Sequence, residues 1–267
     1  MDDNLVKILK MNWNKNSVNK TVCIISFNDD EMRTIINKYN LQHKKDDHEY
    51  YFWMGSLEKE NQCWLISCYQ PLQTGNNYAQ QIVPYLFTKD FDYYFVIGTA
   101  GAMGAKLYDV IIVKDAIYLG KGENNKSGIL HDMQTKSITP KMINKINTFI
   151  LSEMNKDHNY ELYFAPVYNS NNVEKNPEDK DIVMIKENIR KTKAVEMEAY
   201  AIFLSEEWAN NYGSKLKNPV IMIRGVSDRA DDKKGETYED KISADKRKQI
   251  AVLNSLDVME DYLLFCD

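Results

Sequence analysis

The stretch that decides the fold is Tyr93-Tyr94-Phe95-Val96-Ile97-Gly98-Thr99-Ala100-Gly101. Five apolar residues read as a strand, and the strand runs straight into a glycine turn. In α/β sheets ligands collect beyond the carboxyl ends of strands. Gly98 and Gly101 let the backbone approach a ligand closely, and Thr99 offers a hydroxyl. The segment is neither a G-x-G-x-x-G dinucleotide loop nor a Walker loop, because no Gly-Lys-Ser/Thr follows. Taken alone it is as good a structural turn as a binding loop.

Outward from it, strands alternate with helices along the whole chain. Upstream lie a strand at Thr21–Ile25, a helix at Glu31–Tyr39, strands at Tyr50–Met54 and Cys63–Tyr69, and a helix at Asn76–Phe87. Downstream come a strand at Tyr108–Ile117, a polar turn-rich loop at Gly120–Thr139, a helix at Pro140–Met154 and a strand at Leu162–Val167. Asn169–Lys180 reads as a polar loop. A helix at Ile182–Ile189, a short strand ending at Val195, a helix at Met197–Asn211 capped by Gly213, a strand at Pro219–Val226 and a last helix at Ala244–Leu264 complete the pattern. With no linker or repeat, this argues one α/β domain over 21–267. Residues 1–20, rich in Asn and Lys, form an N-terminal extension with a short helix at Leu5–Met11.

The composition excludes several classes. A net charge of -5, from 34 basic and 39 acidic residues, gives no positive field for nucleic acid or anionic lipid. No apolar run reaches the roughly 18 residues of a membrane helix. The start, Met1-Asp2-Asp3-Asn4, is acidic and unlike a signal peptide. Cys23, Cys63, Cys68 and Cys266 form no C-x-x-C pair and read as buried thiols of a reducing cytoplasm. His43, His48, His131 and His158 are scattered, so neither a metal nor another cofactor is expected.

Polar groups follow apolar strands at two further places, Phe27–Glu31 and Ser227-Asp228, and Glu196-Met197-Glu198 opens a helix. Met197, Ala201, Leu204 and Trp208 share one helical face, which predicts a core stripe. Each carboxylate also has a plain structural use. Glu198 suits a helix start, Asp228 a turn cap, and Glu31 the first turn of a solvated helix.

Order and spacing give these signals their meaning. Val96-Ile97-Gly98-Thr99-Ala100-Gly101, Ala194-Val195-Glu196-Met197-Glu198-Ala199 and Ile223-Arg224-Gly225-Val226-Ser227-Asp228-Arg229-Ala230-Asp231 occur in one chain. The set resembles the purine nucleoside phosphorylase and nucleosidase superfamily, and within it the 5'-methylthioadenosine/S-adenosylhomocysteine nucleosidase branch. The resemblance implies a three-layer α/β/α sandwich with a mixed central sheet, cleavage of a nucleoside N-glycosidic bond, and a homodimer or larger homo-oligomer. It implies Asp228 as the acid toward purine N7, a role that needs the raised pKa burial supplies. Glu198 then faces the ribose hydroxyls, Met197 packs on the sugar and Glu31 orients the attacking water. Glu196, Thr99, Ala100, Gly101, Ser227 and Val173 complete the substrate-contacting set.

Phosphorylases of this superfamily carry a Gly-x-Pro-x-Arg-like loop after the first strand, and an arginine two residues before the glycine segment. Here those places hold Ser26-Phe27-Asn28-Asp29-Asp30-Glu31 and Val96, in a chain with only five arginines. An acidic pocket repels phosphate and suits water, so hydrolysis of an adenine nucleoside is expected. A phosphorylase and a silent nucleoside-binding sensor or effector domain are the alternatives. The nucleosidases' Gly-Asp-x-Phe-type stacking segment is replaced by Tyr168-Asn169-Ser170-Asn171-Asn172-Val173. Val173 or Tyr168 is left to stack on the base, and the loop Gln73–Asn77 is assigned no role.

Overall fold

In the computed structural model, described for residues 20–45, 51–71, 73–120, 123–125, 128–130, 132–171, 178–212, 219–230 and 241–266, the apolar runs build one large mixed sheet. Strand β1 (Lys20–Ile25) leads into helix α1 (Asp29–Tyr39), and strands β2 (Gln42–Lys45), β3 (Tyr51–Lys59) and β4 (Gln62–Tyr69) form an antiparallel meander. Helix α2 (Asn76–Phe87) precedes β5 (Tyr93–Ala102) and β6 (Val110–Leu119). After β6 come β7 (Glu123–Asn125), β8 (Gly128–Leu130), β9 (Met133–Ser137), α3 (Pro140–Glu153) and β10 (Leu162–Asn169). The chain continues through α4 (Lys180–Asn188), β11 (Ala194–Glu196), α5 (Ala199–Tyr212), β12 (Val220–Asp228) and α6 (Ala244–Cys266).

The sheet order is β11-β10-β6-β12-β5-β1-β4-β3-β2. β1 and β12 both run parallel to β5, with Ile25 opposite Val96 and Arg224 opposite Gly98. β11 pairs in parallel with β10 and antiparallel with β5, so β5, β12, β6, β10 and β11 close into a ring. That closure places the end of β11 beside the ends of β5 and β12. A bulge between Val226 and Asp228 breaks the register and re-aims the last residues of β12.

Helices cover both faces, α1 and α6 packing together on one and α2 and α5 on the other. β12 is buried along all nine residues, as a strand covered on both sides must be. At Gly225 a Cβ would come within 2.0 Å of the Ala251 carbonyl oxygen, so only glycine lets α6 lie this close to β12. The contact carries the start of α6 to the end of β12. There the fully buried Arg247 donates from Nε to the Ser227 carbonyl (3.2 Å) and from Nη1 to the Ile242 carbonyl (2.7 Å).

Two expectations need correction. Gly120–Thr139, read as a loop, contains β7, β8 and β9. The alternating Met133-Gln134-Thr135-Lys136-Ser137 pairs antiparallel with β6, from Leu119 opposite Met133 to Asp115 opposite Ser137. The presumed core stripe of α5 does not hold either. Ala201 is buried, but Leu204 is half-exposed and Trp208 is 61% exposed, because the stripe turns outward over an apolar groove shared with α2. The short helix at Leu5–Met11 and Gly213 lie outside the described residues. His43 is on the exposed β2. Cys23, Cys63 and Cys68 are free and buried. Among the described residues no helix is long and apolar enough to cross a membrane.

Glu206 on α5 is buried; its Oε2 accepts the Val220 N–H (3.3 Å) and its Oε1 has no hydrogen-bond partner among the described residues. Burial pushes this carboxyl up to about 7, against a small opposing pull from the Val220 N–H. Folding therefore takes up a proton between the free glutamate value of about 4.3 and about 7. Stability falls as pH rises through that window, by on the order of 3 kcal/mol in all. Glu206→Gln, neutral at every pH, is expected to raise the urea midpoint at pH 8 and to leave it nearly unchanged at pH 4. Equal shifts at the two pH values would exclude this account.

Candidate active site

The carboxyl ends of β1, β5 and β12 meet the end of β11 around a pocket of about 260 Å³. Glu31, Thr99, Ala100, Gly101, Glu196, Met197, Glu198, Ser227 and Asp228 all line it. The sequence motifs thus converge on one place. Val173 lies outside the described residues. Tyr168, the other stacking candidate, is buried in a cluster with Ile182, Ile185 and the pocket-lining Val195, and is not itself among the lining residues.

Glu31 is the third residue of α1, whose N-cap Asn28 accepts the Asp30 N–H at 2.9 Å. A glutamate there commonly turns back to its own cap. Glu31 instead crosses to β5, where Oε1 accepts the Thr99 N–H (2.8 Å) and hydroxyl (2.7 Å), while Oε2 accepts the Ser26 hydroxyl (3.1 Å). It is 6% exposed, so the solvated-helix alternative falls away.

The capping assignment also changes hands. Glu196, not Glu198, satisfies the start of α5, accepting the N–H groups of Glu198 (2.9 Å) and Ala199 (3.0 and 3.1 Å). Asn169 Oδ1 takes the Tyr200 N–H (2.6 Å) and Asn76 Oδ1 the Ala201 N–H (3.3 Å). With the first donors of the helix met by distant side chains, Glu198 is released to the pocket. Its Oε1 accepts the Gly75 N–H (2.8 Å) and its Oε2 the Arg224 Nη2–H (2.9 Å). Gly75 adopts a φ of 98°, which favours glycine, and this gives the loop 73–77 a role the sequence had not suggested.

Arg224 was missed as a site residue: it lies in the pocket that the sequence reading took as simply acidic. It is 1% exposed, and its Nη2 spans Glu198 and Glu196 (3.2 Å). Burial alone would lower its pKa, but Glu198, Glu196 and Glu31 outweigh that and hold it above the usual arginine range. Burial pushes the Glu198 carboxyl up to about 7. Arg224 and the Gly75 N–H oppose that rise, while Glu196 and Glu31 add to it. The absent Cβ of Gly98 would lie 2.3 Å from Arg224 Nη1 and 2.9 Å from Glu31 Oε2. Glycine at this point therefore makes room for an arginine and a carboxylate side by side.

Asp228 is buried, its Oδ1 accepting the Ala230 N–H (2.9 Å) and its Oδ2 the Ser227 hydroxyl (3.1 Å). It caps the turn, as the structural reading had it, and lines the pocket as well. A Cβ on Gly101 would lie 2.9 Å from its Oδ1, so the second glycine gives this carboxylate its space.

Removing Arg224 leaves two buried carboxylates without their counter-charge, a change that typically costs about 3–5 kcal/mol. Arg224→Gln is expected to lower stability by that order at pH 8. The loss should be smaller at pH 6, where Glu198 takes up a proton. Urea denaturation at the two pH values measures the difference.

The chain resembles several solved structures. The 5'-methylthioadenosine/S-adenosylhomocysteine nucleosidase of Neisseria meningitidis, in complex with methylthio-immucillin-A, superposes with a TM-score of 0.64 at 18% identity, covering 92% of this chain and 99% of that one. The Streptococcus pneumoniae enzyme with a transition-state inhibitor gives 0.65 at 19% identity, over 92% and 100%. Futalosine hydrolase of Helicobacter pylori gives 0.63 at 12% identity, over 91% and 97%. At these identities the likeness is one of fold. A search of curated proteins by sequence returned no match. The family profile described as the Phosphorylase superfamily matches residues 21–263, nearly the whole chain, and the protein belongs to that superfamily.

Proposed function

We propose that this protein hydrolyses the N-glycosidic bond of an adenine nucleoside, such as 5'-methylthioadenosine, to free base and a ribose derivative. One observation carries the reading. Glu31, Glu198 and Asp228, on three separate elements, face a single small pocket beside a buried arginine. The similarity in fold to nucleosidases supports it.

In this reading Asp228 delivers a proton toward N7 as the base departs, so that the leaving group is neutral. Positive charge develops on the ribosyl ring, and anionic Glu198, bonded to the ribose hydroxyls, stabilises it. Water stands by Glu31 and Arg224 Nη1, next to Gly98, and attacks the anomeric carbon. The proton it loses passes to Glu31. Separate roles for separate carboxylates follow the logic of glycoside hydrolysis. Glu196 lines the pocket, but its oxygens are engaged by Arg224 and the α5 N–H groups, so it serves by positioning Glu198.

The catalytic unit is residues 21–267, with 1–20 as an extension, and the enzyme works in the cytoplasm without a cofactor. We assign its subunit contact to the α2–α5 groove, an apolar recess of about 360 Å³ lined by Pro84, Leu204 and the exposed Trp208. Trp208→Glu is expected to convert a dimer to a monomer in sedimentation. An unchanged sedimentation coefficient would count against this face.

Base release from adenosine and methylthioadenosine, followed chromatographically with and without phosphate, tests the main reading. Release without phosphate is expected. Asp228→Asn keeps a hydrogen-bond donor but cannot transfer a proton, and should lower kcat by about 10²–10⁴-fold. Because the anionic form of Glu198 is the useful one, kcat/KM should fall as pH drops below about 7. Glu198→Gln should be slow throughout and lack that limb. Parent-like turnover by Asp228→Asn would sink the assignment.

A further inference from the structure

The N–H groups that α5 cannot satisfy within itself run from Glu198 to Ala201, because its first internal bond is Ile202 N–H to the Glu198 carbonyl (3.0 Å). Glu196 and Asn169 take those of Glu198, Ala199 and Tyr200 from β11 and β10. The last, Ala201 N–H, goes to Oδ1 of Asn76, the first residue of α2, at 3.3 Å. A backbone N–H can only donate, so it fixes which end of the Asn76 amide is oxygen. The Nδ2 end is thereby turned to Asn171 Oδ1 (3.3 Å), just past β10. Asn171 Nδ2 in turn donates to the Tyr118 hydroxyl on β6 (2.8 Å). One side chain thus joins the start of α2 to the start of α5 and to the end of β10.

Asn76 follows Gly75 directly, and the Gly75 N–H is the group on Glu198 Oε1 (2.8 Å). Gly75 stands at the N-cap of α2, has no side chain to close the turn, and holds a φ of 98°. Such a turn keeps its place by what its neighbours grip. Around Glu198, Arg224 on β12 is the counter-charge, while Glu196 on β11 and Glu31 on α1 press on it with like charge. Asp228 from β12 and Lys248 from α6 stand on the same pocket wall. Burial pushes the Glu198 carboxyl up to about 7, and the Gly75 N–H, with Arg224, opposes that rise. A hydrogen bond to the charged form favours it, so the seat of this one N–H bears on how far Glu198 is ionised near neutrality.

We propose that Asn76 is a positioning residue of the active site: by clasping the start of α5 it holds the Gly75 N–H on the Glu198 carboxylate. Asn76 does not itself line the pocket, so it acts through Gly75. The proposal deepens the nucleosidase reading and rests on it for the work Glu198 does in turnover.

The test is the pH profile of base release by the full-length protein and its Asn76→Ala variant. Loss of a hydrogen bond to a charged group should move the acid limb of kcat/KM up from about 7 by about one pH unit. The variant is then about tenfold slower than the parent at about pH 6 and close to it at about pH 9, where Glu198 is ionised in both. Asn171→Ala keeps the bond from Ala201 to Asn76 and should leave the limb in place. A loss by one factor at every pH, with the limb unmoved, would make Asn76 a purely structural residue and overturn the proposal. So would a limb that moves in Asn171→Ala alone. The same displacement is read without turnover by NMR titration of the Glu198 side-chain carboxyl carbon, assigned by its loss in Glu198→Gln. The two readings therefore fail separately. Base release with the limb and the carboxyl midpoint unmoved in Asn76→Ala leaves the nucleosidase and removes the role of Asn76. A displaced midpoint in a protein that releases no base does the reverse.

Discussion

The site is organised by one buried cation. Arg224 has almost no access to water, and an unpaired guanidinium there would be prohibitive, so the fold has to bring carboxylates to it. Glu196 and Glu198 answer from the start of α5, and Glu31 approaches over Gly98 from α1. Two parts of the chain distant in sequence, α1 and the β11–α5 junction, are thereby brought to β12. The same contacts fix where each carboxylate points, and a pocket that performs chemistry needs that fixing more than it needs the added stability.

The closed ring of strands makes this possible. Were β11 paired only with β10, Glu196 and Glu198 would stand at a sheet edge, far from β5. Its antiparallel bond to the Gly101–Ala102 end of β5 bends the sheet back on itself. The bulge in β12 then turns Ser227 and Asp228 to meet them. Gly98, Gly101 and Gly225 mark the three places where the ring, the helix and the side chains come too close for a Cβ.

Much of this was legible in the sequence because it depends on local signals. Apolar runs gave the strands, and α2 was placed to the residue. The carboxylates stood out by lying just beyond strand ends. What escaped was non-local. Gly75 reads as an ordinary loop glycine until Glu198 is found on its N–H. Arg224 looks like part of a strand, since nothing in Ile223-Arg224-Gly225 says that its partners come from the far side of a ring. Lys248 is one of two lysines in α6, and the close crossing at Gly225 brings it to the pocket. The α5 stripe failed for a related reason. Helical periodicity names a face but not what covers it, and Trp208 looks outward over a groove.

The distribution of charge in the pocket follows from the same geometry. A residue count makes it simply acidic, yet the acidity is uneven. Arg224 neutralises the floor between Glu196 and Glu198, and Glu198, near its midpoint at neutral pH, can shed or hold its charge with little cost. Glu31 has three donors from Thr99 and Ser26 and keeps one side toward Gly98. The rim, where Lys248 faces Asp30, is close to neutral and exchangeable. In the proposed reaction a ribosyl cation forming above the floor meets the carboxylates of Glu31 and ionised Glu198, while the Lys248 ammonium stands apart from them at the rim. That uneven charge favours one orientation of a polar ligand before any shape contact is made.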